Sequence, residues 1–298
     1  MIPPGEHGGD GARLAAALNL APDAVLDLSA SLNPVAPDPA PVIARHLDAV
    51  GRYPDPAAAT EAVAAALGVG TAQVLLTNGG AEAIALLAAE AGRGRVDEPD
   101  FSLYRRHLPA VDPDGPRWRS NPHNPSGRLA GPDERADVWD EAFWPLATGT
   151  WTRGDAARGA IVLGSLTKVL ACPGLRVGYV HAADEDLIAR LARRQPRWAV
   201  NGLACEALPE LLGTVDLRRW AGELCGLREE LAATLRAAGF EPEPSDANWL
   251  LVTAPGLRER LAARAILVRD CTSFGLPGTV RIAVPNRPGL ARLRESLA

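Results

Sequence analysis

Apolar and polar positions along this chain alternate between short hydrophobic runs and longer Ala/Leu-rich stretches. Val74-Leu75-Leu76-Thr77, Ile161-Val162-Leu163-Gly164-Ser165 and Arg176-Val177-Gly178-Tyr179-Val180-His181 read as buried strands. Ala57 to Leu67 and Asp184 to Arg194 carry a 3.6-residue period and read as amphipathic helices, and a further helix is expected from about Ala81 to Ala89. Strands alternating with helices predict an α/β architecture. The last third changes character. A long helix from about Leu217 to Ala238 precedes a strand at Trp249-Leu250-Leu251-Val252, a helix near Leu257 to Ala263 and strands at 266–269 and 280–284, an order that suits a smaller α+β domain. Val111 to Arg119 reads as a polar loop, and no internal repeat is seen.

The 298 residues are enough for a sizeable core and about two domains. A hydrophobic content of 47% and a charged content of 22% are those of an ordinary globular protein. A net charge of -5 without any Lys/Arg block argues against a nucleic-acid partner. No apolar run reaches the ~18 residues of a spanning helix, so no membrane partner is expected. Met1 to Glu6 has neither a basic nor an apolar leader region, so no secretory signal is expected. Cys172, Cys205, Cys225 and Cys271 form no C-x-x-C pair and read as reduced thiols of a cytoplasmic protein. The five histidines lack metal-ligand spacing, with His46 and His107 read as surface residues, and no metal is expected.

Chemistry enters with one residue. Lys168, in Ser165-Leu166-Thr167-Lys168, is the only lysine; the other thirty basic residues are arginines. Arginine cannot shed its proton in a protein, whereas lysine can be tuned to a neutral amine that attacks a carbonyl. A Schiff-base lysine is the leading reading; a leftover surface lysine is the plain one. Asn78-Gly79-Gly80-Ala81-Glu82 joins a strand to a helix N-terminus, where free amides suit an anion, although Gly pairs at such turns are often only turns. Arg176 follows the lysine by eight residues and can hold a phosphate bidentately, with hydroxyls from Ser165 and Thr167. Asp140 ends the apolar run Ala136-Asp137-Val138-Trp139, either delivered to a sheet edge or lying in an exposed loop.

Taken in order, Asn121-Pro122-His123-Asn124-Pro125-Ser126-Gly127, Asp140-Glu141-Ala142-Phe143, the lysine segment and Pro173-Gly174-Leu175-Arg176-Val177-Gly178-Tyr179 resemble the aminotransferase class I/II signature. That signature belongs to the fold-type I enzymes of pyridoxal 5'-phosphate (PLP). Within them the chain is most similar to threonine-phosphate decarboxylases of cobalamin biosynthesis and their relatives, the histidinol-phosphate aminotransferases. The residues carrying this are His7-Gly8-Gly9, Leu28-Ser29-Ala30-Ser31-Leu32-Asn33-Pro34, Arg52-Tyr53-Pro54-Asp55-Pro56, Trp198-Ala199-Val200-Asn201 and Arg269-Asp270-Cys271-Thr272-Ser273-Phe274.

The resemblance implies a large PLP-binding domain, 34–196, with a mostly parallel mixed sheet, and a small α+β domain, 197–298, accompanied by an N-terminal arm, 1–33. It implies that Lys168 carries the cofactor and shuttles protons, that Asp140 pairs with the pyridine nitrogen, and that Asn124 donates to the ring oxygen. Phe101 would stack on the ring, while Gly80, Ala81, Ser165 and Arg176 would hold the cofactor phosphate. Tyr53 would reach that phosphate from a neighbouring subunit, making the protein a homodimer with shared sites. Arg281 would grip the substrate carboxylate, with Asn33 and His7 on the substrate side.

Two departures stand out. Phe143 occupies the position where many aminotransferases have a tyrosine. The chain is also short for the family between Pro99 and Asn121 and between Gly127 and Asp140, which predicts a trimmed sheet. The functions implied are decarboxylation of a phosphorylated amino acid, threonine phosphate, or transamination of a substrate such as histidinol phosphate. A degenerate, non-catalytic PLP-binding protein is a third reading, weighed down by retention of the whole cofactor set.

Overall fold

Ten strands form two sheets among the described residues, 7–298, of this computed structural model. The expectation about a leader, and the first six residues of the N-terminal arm, fall outside the described residues. In chain order the strands are β1 (Leu26–Leu28), β2 (Val74–Asn78), β3 (Arg95–Val96), β4 (Arg117–Ser120), β5 (Val138–Asp140), β6 (Ile161–Ser165), β7 (Val177–His181), β8 (Trp249–Thr253), β9 (Ile266–Asp270) and β10 (Thr279–Ala283). The larger sheet has the order β2-β7-β6-β5-β4-β3, with β3 to β6 mutually parallel and β7 antiparallel to both its neighbours. The smaller sheet has the order β1-β9-β10-β8, with β1 parallel to β9 and the other pairs antiparallel.

Both faces of the larger sheet are covered, which is why its central strands read as nearly unbroken hydrophobic runs. One face meets Ile84 and Leu87 of helix Gly79–Ala91 and Leu187, Ile188 and Leu191 of helix Glu185–Arg194. The other meets Ala59 and Val63 of helix Ala57–Leu67 and Leu208 and Leu211 of helix Gly202–Gly213. Helix Glu185–Arg194 starts where Asp184 accepts from the Leu187 amide at 3.0 Å, satisfying a donor that the first turn cannot. The smaller sheet packs on helix Leu217–Ala237 through Trp220, Leu224 and Leu231. Leu231 is fully buried, and truncating such a side chain costs about 2–5 kcal/mol.

One expectation fails at β4. Val111 to Arg119 reads as a loop, yet Arg117–Ser120 is a strand between β3 and β5. Trp118 and Ser120 point into the core while Arg117 pairs with Asp97 at 2.7 Å and Arg119 with Glu134 at 2.5 Å. Ion-paired arginines therefore occupy alternate positions and hide a strand period of two. The shortened stretches also behave differently from each other. That from Pro99 to Asn121 still holds helix Ser102–His107 and β4, whereas Gly127 to Asp140 contains only β5 among regular elements. No helix among the described residues is long and apolar enough to cross a membrane.

Candidate active site

Parallel strands bring their carboxyl ends to one edge of a sheet, and loops leaving that edge are where α/β folds place ligands. β2, β4, β5 and β6 run the same way, so Asn78, Ser120, Asp140 and Ser165 come to a common edge, and antiparallel β7 starts there, just after Arg176. A cavity of about 310 Å³ lies at this edge and is flanked by Arg269 and Arg281 of the smaller sheet. Lys168, Asp140, Asn124, Phe101, Gly80, Ala81, Ser165 and Arg176 line it, together with Arg269, Arg281 and His7.

Lys168 sits on the four-residue helix Leu166–Val169 directly after β6. So short a helix cannot satisfy its own carbonyls. The Leu170 and Cys172 amides take the carbonyls of Leu166 and Thr167, and Asn33 serves the other two: its backbone amide donates to Lys168 O at 3.1 Å and its Nδ2 to Val169 O at 3.0 Å. Its Oδ1 accepts from the Val35 amide at 3.1 Å. Asn33, a candidate for the substrate side, is thus committed to bracing the lysine turn and does not line the cavity. The Lys168 Nζ donates to Ala30 O at 3.1 Å, and burial, then the charges of Arg281 and Arg176, push the amine down to about 8.

Asp140 accepts from the Tyr104 hydroxyl at 2.7 Å and from the Ala142 amide at 3.0 Å. Burial raises its carboxyl above the usual range, and those two donors oppose the rise. Tyr104 is fully buried and lies three residues past Phe101, one turn along helix Ser102–His107. Phe101 meets Tyr104 edge-on at 5.7 Å and His7 edge-on at 5.7 Å.

The anion cradle is built by close backbone approach. Gly79 has φ +76°, and a side chain there would collide with the Arg176 guanidinium. A methyl group at Gly178 would come within 2.6 Å of the Gly79 and Gly80 backbone. Arg176 has φ 55°, a conformation rare for a long side chain and one that folds in functional sites retain. Ser165 Oγ and Thr167 Oγ1 lie 2.8 Å apart beside the cradle.

Asn124 Oδ1 accepts from Arg281 Nη1 at 2.6 Å, and the Arg281 guanidinium lies 4.8 Å from the Trp249 ring. Burial pushes Arg281 down to about 10, and its Nε is buried with no partner among the described residues. Arg269 stands in register with Arg281 on the neighbouring strand, is buried, and donates to Ser273 Oγ at 2.9 Å. Phe143 packs edge-on against Trp249, with Lys168 Nζ 5.9 Å from its ring centre.

Tyr53 lies outside this cavity. It is 78% exposed and stacked on exposed Trp198, ring centres 4.4 Å apart. Sequence reasoning gave no role to Tyr104, Asp100 or Ser120, and quoted Arg269 only as part of a segment. For Tyr104 the available signal was its one-turn spacing from Phe101.

Comparison with known proteins is consistent across the chain. The family model described as aminotransferase class I and II matches residues 118–297. The histidinol-phosphate aminotransferase of Halorubrum lacusprofundi is 32% identical, aligned over 94% of this chain and 91% of its own length. The threonine-phosphate decarboxylase of Salmonella typhimurium is 31% identical over 98% of this chain and 96% of its own. The first alignment spans 341 positions, more than the 298 residues present, so that relative carries stretches this chain lacks. Among solved structures, histidinol-phosphate aminotransferase from Sinorhizobium meliloti in complex with pyridoxal-5'-phosphate superposes with a TM-score of 0.84 at 16% identity, covering 96% of this chain and 93% of that one. At that identity the likeness establishes the fold.

Proposed function

The chain belongs to the aminotransferase class I and II family, and from that premise we propose that it is a PLP-dependent decarboxylase of L-threonine O-3-phosphate, releasing carbon dioxide and aminopropanol phosphate for cobalamin biosynthesis. One observation carries the choice of substrate: two buried arginines, Arg269 and Arg281, in register on β9 and β10, line the same cavity as Lys168. Threonine phosphate offers a carboxylate and a phosphate, one anion for each guanidinium. Histidinol phosphate offers only the phosphate. Bidentate pairing of arginine with such groups is among the stronger polar interactions.

The residues fit PLP. Lys168 would hold it covalently. The Gly80 and Ala81 amides with Ser165 and Arg176 would take its phosphate, Asp140 its ring nitrogen, Asn124 its ring oxygen and Phe101 its ring face. The tight Gly79–Gly178 approach shapes a cradle for an anion, and the Arg281 Nε, without a partner among the described residues, is a donor still to be used. When bound, PLP supplies an electron sink for the pair left as a bond to the substrate α-carbon breaks.

The protein's own groups do the rest. With its amine near 8, Lys168 is neutral in about one molecule in ten at pH 7, enough to react with a carbonyl, and its protonated form would be the acid that returns a proton to the α-carbon. Asp140, with two donors favouring its charge, would stay anionic beside a protonated ring nitrogen. Arg281 would orient the carboxylate so that the bond to be broken stands across the ring plane. His7, on the cavity wall beside Phe101, would face the substrate phosphate. Phe143 offers no hydroxyl, which would leave the ring oxygen to Asn124.

Exposed Leu47, Val50, Tyr53 and Trp198 support a homodimer in which Tyr53 crosses to the partner's cofactor phosphate. A division into a cofactor-binding part, 34–196, and a second part, 197–298 with the arm 1–33, goes with the reading. Helix Gly202–Gly213 then packs back on the core of the first part. A cytoplasmic location goes with it too.

Transamination is the second reading, favoured by the 32% identity to a histidinol-phosphate aminotransferase. Incubation with PLP and threonine phosphate tests the choice. Carbon dioxide and aminopropanol phosphate in equal amounts are expected. No product there, but conversion of histidinol phosphate with 2-oxoglutarate as amino acceptor, would replace decarboxylation by transamination.

A further inference from the structure

Asp100 is buried at 3% exposure and accepts three hydrogen bonds on its carboxylate. Oδ1 accepts from Ser120 Oγ at 2.5 Å and from the Phe101 amide at 2.7 Å. Oδ2 accepts from the Ser120 amide at 3.1 Å. The Ser120 hydroxyl in turn accepts from the Asn124 amide at 2.7 Å, so its own proton is directed to Asp100. Asn124 then meets Arg281 through its side chain.

The chain of donors has one consistent polarity. The three hydrogen-bond partners of the Asp100 carboxylate are all donors, a set that a carboxylate satisfies; an amide would turn its NH2 toward a donor. A buried polar group without a partner costs free energy, so carboxylate, hydroxyl and two backbone turns are held as one unit. Its ends are the ring at residue 101 and the amide at residue 124, which come from different loops of the sheet edge.

We propose that Asp100 is a positioning residue of the cofactor site: through the Phe101 amide and Ser120 it fixes, at once, the ring that would stack on PLP and the turn whose Asn124 would meet its ring oxygen. This rests on the reading that the cavity takes PLP. Burial, with Asp140 adding to it, pushes the Asp100 carboxyl up to about 7, and the three donors favour its charged form. Near pH 7 the charged and neutral forms are therefore comparably populated, and the three donors hold the charged one against the desolvation cost.

The test uses Asp100→Asn, which keeps shape and removes the acceptor pattern, Ser120→Ala, which removes a single hydroxyl, and the double variant. PLP is titrated into each full-length protein, reading the dissociation constant from visible absorbance and the visible circular dichroism per bound cofactor at saturation. A role confined to folding would leave the dichroism of the bound cofactor unchanged. Expected is a dissociation constant raised about tenfold in each single variant, the loss of roughly one charge-assisted hydrogen bond, with dichroism at most half that of wild type. The double variant should be no worse than Asp100→Asn, because both act through one chain. Folded variants that match wild type in both readouts overturn the proposal. A wild-type Ser120→Ala signal beside an altered Asp100→Asn overturns the route to Asn124. Should Asp100→Asn fail to fold, Ser120→Ala decides alone. Wild-type protein that takes up no PLP overturns the cofactor reading, and the proposal with it.

Discussion

Arg281 Nη1 donates to Asn124 Oδ1 at 2.6 Å, and through this bond a strand of the smaller sheet grips the turn that leaves β4 of the larger one. The two walls of the cavity are therefore registered to each other by the same guanidinium that is read as holding substrate. Arg281 is 7% exposed, lines the cavity, and has a buried Nε without a partner among the described residues.

Lysine cannot reproduce that fork. Arg281→Lys should weaken binding of threonine phosphate by about 2–5 kcal/mol, seen as a KM raised at least thirtyfold in steady-state kinetics. Cofactor colour should persist. An unchanged KM would remove Arg281 from the substrate side.

Lys168 has a working pH set by burial. A group lowered to about 8 gains its neutral, reactive form as pH rises through 8. The rate of PLP uptake, followed by stopped-flow absorbance from pH 6 to 10, should climb about tenfold per unit below 8 and level off above it. A rate still climbing at pH 10 would mark an ordinary solvated lysine.

Asp140 and Tyr104 should act as a pair. Asp140→Asn should lower kcat by about 10²–10³, the scale seen when a preorganised charge is removed, while thermal unfolding shifts little. Tyr104→Phe deletes the hydroxyl that donates to Asp140 and should cost about tenfold. The double variant should fall short of the product of the two effects, since the hydroxyl works only through the carboxylate. Near-wild-type turnover in Asp140→Asn would show that the ring nitrogen has another partner.

Tyr53 tests the shared site. Mixed Tyr53→Phe and Lys168→Ala chains, each inactive alone, should regain activity, because one of the two sites in a hybrid dimer holds both native residues. Light scattering should give twice the chain mass of 31.3 kDa. A monomer at assay concentration contradicts this arrangement.

What could be read from the sequence follows how local each signal is. β6 and β7 are recognisable because both their faces are buried, and helix Ala57–Leu67 because its period is complete. Lys168 stands out because no other lysine competes with it. β4 was lost because ion-paired arginines hold its alternate positions, and β1 because a three-residue strand gains its meaning only from pairing with β9, some 240 residues later. The roles of Asn33 and Tyr104 were equally hidden. Their partners, the carbonyl of Val169 and the carboxylate of Asp140, are 136 and 36 residues away, and only the one-turn spacing of Tyr104 from Phe101 leaves a local hint of either.

The central claim is that this cavity holds PLP on Lys168, and a chain with one lysine allows a direct measurement. Protein saturated with PLP is reduced with borohydride, digested and mapped by mass spectrometry. The account predicts a yellow protein whose colour is discharged by reduction, with the pyridoxyl-phosphate mass on the peptide containing Lys168 and none in Lys168→Arg. A protein that stays colourless with PLP, or a label found only on the N-terminal amine, would contradict it.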